Sequence, residues 1–158
     1  MSTELLKKVY LFKGLGMAEL VAVLKICRQE RFPAGNIIFL EGEAGQKCYI
    51  IESGQVNIKK YVPNVGEETL AILEAGSLFG EMSLIDGSPR SAAAAAEVDT
   101  TCMVIKKTDL DALIDSNKDL GNKILLSFCR TLSGRLRDTN ERISQYLAMS
   151  AGFGDPAL

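Results

Sequence analysis

The stretch from Pro33 to Ile58, PAGNIIFLEGEAGQKCYIIESGQVNI, decides the fold. It holds three short runs, NIIFLE, CYIIES and QVNI, rich in β-branched and aromatic residues and parted by glycine-bearing turns. Such residues suit a pleated, half-buried surface, and runs of this length between turn residues read as strands. The same grammar continues outward through QVNIKKYV and TLAIL as far as about Ile105. Gly42, Gly54, Gly66 and Gly76 recur at intervals of 12, 12 and 10 residues, and glycine supplies the positive φ that tight turns require. Evenly spaced short strands predict a β-sandwich or barrel of the jelly-roll type.

The flanks have a different period. From Thr3 to Glu30 the apolar residues fall at helical spacing, with Met17, Leu20, Val21, Val23, Leu24 and Ile26 forming a stripe. After Lys106 helix returns: Thr108 stands as a cap before DLDALID, and a long helix is predicted from about Asp119 to Met149. The expected layout is one α+β domain over residues 1–150, helical at 3–30, a β-roll at 31–106 and C-terminal helices at 107–149. The tail AGFGDPAL, residues 151–158, should fray. The run SAAAAAE, Ser91 to Glu97, has helix propensity by composition and is assigned to a strand only by its context.

Composition narrows the function. With 158 residues, 47% of them hydrophobic, and a net charge of 18 − 20 = −2, the chain can bury a core and is no disordered segment. No apolar run approaches the ~20 residues of a membrane helix, so no membrane partner is expected. The absence of histidine removes Ser-His-Asp and Cys-His chemistry and every His-containing metal site. The expectation is a non-enzymatic protein without a metal. A pI near 5.3 argues against a globally basic nucleic-acid face. Cys27, Cys48, Cys102 and Cys129 sit singly in apolar runs and read as reduced structural thiols. With no secretory core in the opening STELLKKVYLFKG, a cytoplasmic location is expected.

The segment from Gly76 to Ala92, GSLFGEMSLIDGSPRSA, carries the chemistry. The start of a short helix offers free backbone N–H groups, and Arg90 adds a planar cation, which together make an anion site. Glu81 cannot bind phosphate itself, so a second polar group on the same ligand, such as a ribose hydroxyl, is implied. Taken singly these residues have ordinary roles: a solvated arginine, a first-turn carboxylate, a turn glycine. In this order, FGEMSL followed by PRSA strongly resembles the phosphate-binding cassette of the cyclic-nucleotide-binding domain family.

The resemblance extends over nearly the whole chain, through LFKGLGMAEL upstream and the Pro33–Ile58 stretch itself. It implies a β-jelly roll flanked by helices, with the alanine run as the strand leaving the arginine. It also implies the ligand-binding set Gly80, Glu81, Met82, Ser83, Arg90 and Ser91: Glu81 accepts from the ribose 2′-hydroxyl beside the Gly80 backbone, Arg90 pairs with the cyclic phosphate, and Ser83 and Ser91 donate. Val56 and Leu70 match the positions that set apolar groups against the base. A threonine after the arginine favours guanine in this family. Ser91 keeps only a hydroxyl there, so cAMP is the favoured ligand, with cGMP possible.

In the last helix Leu125, Cys129, Leu132, Leu136, Thr139, Ile143 and Tyr146 alternate by four and three, the a/d spacing of a coiled-coil seam. This predicts a homodimer, the alternative being a helix packed by the same residues on its own barrel. The segment LSGRLRDTNERISQ is similar to the dimer helix of the bacterial catabolite activators. That resemblance implies that Thr139 and Asn140 approach the purine, one from each subunit, where a hydroxyl and an amide can pair with an adenine edge. Those activators continue into a helix-turn-helix domain and this sequence does not, so a stand-alone sensor acting through an unknown downstream protein is expected, without specific DNA binding. The competing expectation is a structural or protein-interaction domain that has kept the fold and lost its ligand. Intact Glu81 and Arg90 favour binding.

Overall fold

The computed structural model describes residues 2–152. Its strands are β1 (Cys27–Phe32), β2 (Ile37–Phe39), β3 (Lys47–Ser53), β4 (Gln55–Val62), β5 (Gly66–Glu74), β6 (Leu78–Phe79), β7 (Ala93–Ala96) and β8 (Thr100–Lys106). They form two antiparallel four-stranded sheets, ordered β1-β8-β3-β6 and β2-β7-β4-β5. The helices are α1 (Thr3–Lys8), α2 (Met17–Ile26), α3 (Met82–Asp86), α4 (Lys107–Ser116) and α5 (Lys118–Gly152), with a 3₁₀ turn at Tyr10–Phe12. The expected jelly roll with flanking helices is therefore present, and the four turn glycines Gly42, Gly54, Gly66 and Gly76 all take positive φ.

Successive residues of a strand face opposite ways, and the first sheet is covered on both faces. Cys48, Ile50, Leu78, Met103 and Ile105 face the helices, where they pack with Leu6, Phe12, Leu20, Val23, Leu120, Ile124 and Phe128. Their neighbours Tyr49, Ile51, Phe79, Cys102 and Val104 turn the other way and meet Phe39, Val56 and Ala94 of the second sheet. Hence CYII and CMVI are apolar without alternation: each of their residues enters one core or the other.

Four expectations need correction. The N-terminal helical region ends at Ile26, and residues 27–30 are strand, because Cys27 through Glu30 pair residue by residue with Ile105 through Cys102 of β8. The α2 stripe is narrower than its spacing suggests: Leu20 and Val23 are buried, while Met17 and Val21 are exposed. Thr108 is not a cap, since α4 starts at Lys107 and Lys106 occupies the cap position without a side-chain hydrogen bond. Among the thiols, Cys27, Cys48 and Cys102 are buried and free, but Cys129 is exposed on α5.

The alanine run is strand, as its context required. In β7, Ala93 to Ala96 pair with Lys59 to Val56 of β4 on one side and with β2 on the other. Ladder bonds on both edges override helix propensity, and the small side chains of Ala94 and Ala96 fill a tight interior. The long helix starts at Lys118 and extends through Gly152, so residues 151 and 152 belong to it; the rest of the expected frayed tail, 153–158, lies outside the described residues. Among the described residues no helix is long and apolar enough to cross a membrane.

Candidate functional site

A cavity of about 250 Å³ opens between β4, β5, the loop after β6 and α5. Gly80, Glu81, Met82, Ser83, Arg90 and Ser91 all line it, so the motif is brought to one wall. Ile58, Ala71 and Leu73 supply an apolar wall, and Arg135 reaches it from α5.

The backbone of Arg90 is fixed first. Its N–H donates to Glu43 O at 2.8 Å and its carbonyl accepts from Gly42 N at 2.9 Å, pinning it to the β2–β3 loop. The guanidinium donates through Nη1 to Gly80 O and through Nη2 to Lys47 O, each at 2.7 Å, and lies over the Phe39 ring at 4.1 Å. Arg90 is only 5% exposed, and its Nε is buried without a partner among the described residues. Among the described residues no carboxylate forms an ion pair with it. Burial pushes its pKa down, with the carboxylates of Glu43 and Glu81 acting on it only from a distance, yet an arginine keeps its charge, so a buried cation faces the cavity without a carboxylate in contact with it.

Two glycines make this packing possible. Gly80 has φ +72°, and a Cβ there would stand 2.7 Å from Arg90 Nη1. Gly45, in the β2–β3 loop, passes so close to α3 that a Cβ would meet Ser83 Cβ at 2.2 Å and Arg90 Cζ at 3.1 Å. Ser83 is buried against this loop; at the start of α3 the Leu84 amide donates to Glu81 O at 3.1 Å, while those of Met82 and Ser83 precede the first intrahelical bond.

Glu81 sits opposite in character, 4% exposed and held by two donors. Tyr10 donates its hydroxyl to Glu81 Oε1 at 3.0 Å, and Arg135 donates Nη1 to the same oxygen at 2.7 Å. The Arg135 guanidinium also lies 5.4 Å from the centre of the Tyr10 ring. Burial, and then the charge of Glu81, push the Tyr10 phenol far above its ordinary pKa, so it remains a donor. For Arg135 burial works against the charge, but Glu81 and Tyr10 outweigh it and raise the pKa.

The structure does not bring all the expected residues here. Val56 is on the inward face of β4 but wholly buried in the inter-sheet core, and it does not line the cavity although its β5 partner Leu73 does. Leu70 is 56% exposed and outside the cavity: Ala71 and Leu73 take the inward positions of β5. In LAIL both parities are apolar, so alternation does not reveal which faces in. Thr139 and Asn140 are exposed on α5 and do not line this chain's cavity; the Thr139 hydroxyl donates to Arg135 O at 2.8 Å. Thr139 lies one turn beyond Arg135 on the same helix face.

Tyr10, Gly45 and Arg135 were not identified from sequence. Arg135 had a visible signal, standing one turn before Thr139 inside LSGRLRDTNERISQ. Tyr10 had none.

Residues 29–117 match the cyclic nucleotide-binding domain family. The chain belongs to this family. It is 30% identical over 144 residues to the CRP-like cAMP-activated global transcriptional regulator of Mycobacterium tuberculosis, covering 91% of this chain and 62% of that protein. It is 40% identical over 104 residues to the cyclic AMP receptor protein of Thermus thermophilus, covering 66% and 48% respectively. The chain thus spans between about half and three fifths of these relatives' length. A cyclic nucleotide-binding domain from Methylobacillus flagellatus superposes with a TM-score of 0.80 at 33% identity, covering 91% of this chain and 81% of that one.

Proposed function

We propose that this chain is a cytoplasmic regulatory domain that binds cAMP in the cavity and passes the signal to a protein partner. The observation that carries this reading is Arg90, a buried cation facing the cavity with no direct ion pair among the described residues. Isolated buried charge is costly, and an anionic ligand removes the cost. The cyclic phosphate pairs with Arg90 and takes further bonds from Ser83 and the amides at the start of α3. The ribose 2′-hydroxyl donates to Glu81 beside the Gly80 backbone, Met82 and Ser91 flank the ligand, and the base lies along Ile58, Ala71 and Leu73. The relatives named for cAMP support adenine over guanine, with cGMP as the second candidate.

A homodimer completes the reading. Leu125, Cys129, Leu132, Leu136, Ile143 and Tyr146 are exposed on α5, whereas a different stripe, Leu120, Ile124 and Phe128, packs on the barrel. The a/d row is therefore available for a second copy, whose Thr139 or Asn140 would reach the purine. Three thiols buried singly suit a reducing compartment. Titration calorimetry with cAMP, cGMP and cyclic dinucleotides tests the proposal: cAMP should bind tightest, and no binding of any of them would leave a domain that keeps the fold as an interaction module.

A further inference from the structure

The two donors on Glu81 share one oxygen. Tyr10 and Arg135 both bond Oε1, and Oε2 has no partner among the described residues. This is unusual for an arginine beside a carboxylate, because the planar fork of the guanidinium matches both oxygens and two-pronged pairing is the stronger arrangement. Here one prong is used. The Tyr10 phenol occupies the remaining room on Oε1, and its ring lies against the guanidinium at 5.4 Å. Tyr10 is itself held from the far side, where Ser127 of α5 donates to its carbonyl at 3.2 Å.

We infer that Tyr10 is a positioning residue that keeps Arg135 from closing on both oxygens of Glu81 and so reserves Oε2 for a hydroxyl donor of the ligand. This rests on the reading above, in which Glu81 receives the ribose 2′-hydroxyl. Tyr10 touches no ligand; it acts through Glu81. Selectivity for a ribo- over a deoxyribo-ligand then depends on a residue of the N-terminal 3₁₀ turn, 71 positions from the carboxylate it orients.

Tyr10→Phe removes the hydroxyl and keeps the ring. Without it, Arg135 swings onto both oxygens and takes one of the two lone-pair sites of Oε2, so the ligand hydroxyl meets an acceptor already partly spent. Affinity for cAMP should fall about three- to tenfold, the weakening of one charge-assisted hydrogen bond, while affinity for 2′-deoxy-cAMP should be little changed. The ratio between the two nucleotides narrows, which a merely structural role for Tyr10 would not produce, since that would weaken both alike. Arg135→Lys supplies the rescue: an ammonium is a point donor that cannot fork, so adding Tyr10→Phe to the Arg135→Lys variant should leave the ratio intact. Calorimetry with both nucleotides on wild type, the two single variants and the double variant decides it, with thermal unfolding to confirm the fold of each. Wild-type binding of cAMP with an unchanged ratio in Tyr10→Phe overturns the role of Tyr10 alone. A wild type that binds neither nucleotide overturns the functional reading and this inference with it.

Discussion

Arg90 is the sharpest point of attack, because charge and geometry can be separated there. Its two terminal nitrogens donate to Gly80 O and Lys47 O, and its flat face rests on Phe39. An entering phosphate meets a cation already oriented, whose fork presents two donors. Arg90→Lys keeps the charge but offers a single point donor, losing one charge-assisted bond worth ~1.5–3 kcal/mol, or about 10- to 150-fold in affinity. Arg90→Ala loses both bonds and the charge, ~3–6 kcal/mol, so cAMP affinity should drop roughly 10²- to 10⁴-fold. The order wild type, then Lys, then Ala is the signature, read by titration calorimetry. Thermal unfolding of the free proteins serves as a control: the lost bonds to the two carbonyls are partly offset by removing a buried, uncompensated charge. If the alanine variant bound cAMP within about threefold of wild type, less than a single hydrogen bond is worth, the assignment of the phosphate to this cavity would be wrong.

The other expectations concern the supporting structure. Gly45→Ala would push a Cβ to 2.2 Å from Ser83 Cβ, so the loop or α3 must shift; it should cost ~1–3 kcal/mol of stability and weaken cAMP binding as well, and a variant of wild-type stability and affinity would refute the close approach. Leu136→Glu, at a position 62% exposed in the single chain, should weaken dimerisation by roughly 3 kcal/mol or more and give monomers with reduced cAMP affinity in sedimentation and calorimetry. Thr139→Ala should leave the dimer intact and narrow the preference for cAMP over cGMP; a monomeric wild type or an unchanged ratio removes the base-reading role of α5. Burial holds the thiols of Cys27 and Cys102 at a pKa of about 12 and raises that of Cys48 as well, from an ordinary 9.0. Their contribution to stability is fully present below pH 9 and is lost as pH rises toward the folded values, about 1.4 kcal/mol per thiol by pH 10, and Cys48→Ala should remove about a third of that slope. Denaturant unfolding under reducing conditions measures it, and a flat profile from neutral pH to pH 10 contradicts the burial.

What lies close along the chain and has a strict period was legible without coordinates. The turn glycines, the strand runs and the order of Gly80, Glu81 and Arg90 are local: a positive φ or a phosphate-facing loop selects its residue types within a few positions, so they leave a signature in sequence. Even the inconsistency of the alanine run was visible, because its propensity disagreed with its surroundings. What the tertiary structure alone decided is set by pairing at a distance. Residues 27–30 continue a helical pattern and become strand because β8 offers a ladder to the very end of β1. The inward parity of β5 was hidden because Leu70 and Ile72 are as apolar as Ala71 and Leu73, and only closure against the second core selects between them. The set around Glu81 is the clearest instance: Tyr10 and Arg135 come from 71 and 54 residues away, a tyrosine in a short turn has no local feature that tells it from any other, and the position of Arg135 one turn before Thr139 does not by itself say which carboxylate it meets. Hydrogen-bond donors are plentiful on any surface, and it is the packing of the 3₁₀ turn and α5 on one sheet that aims these two at a single carboxylate oxygen.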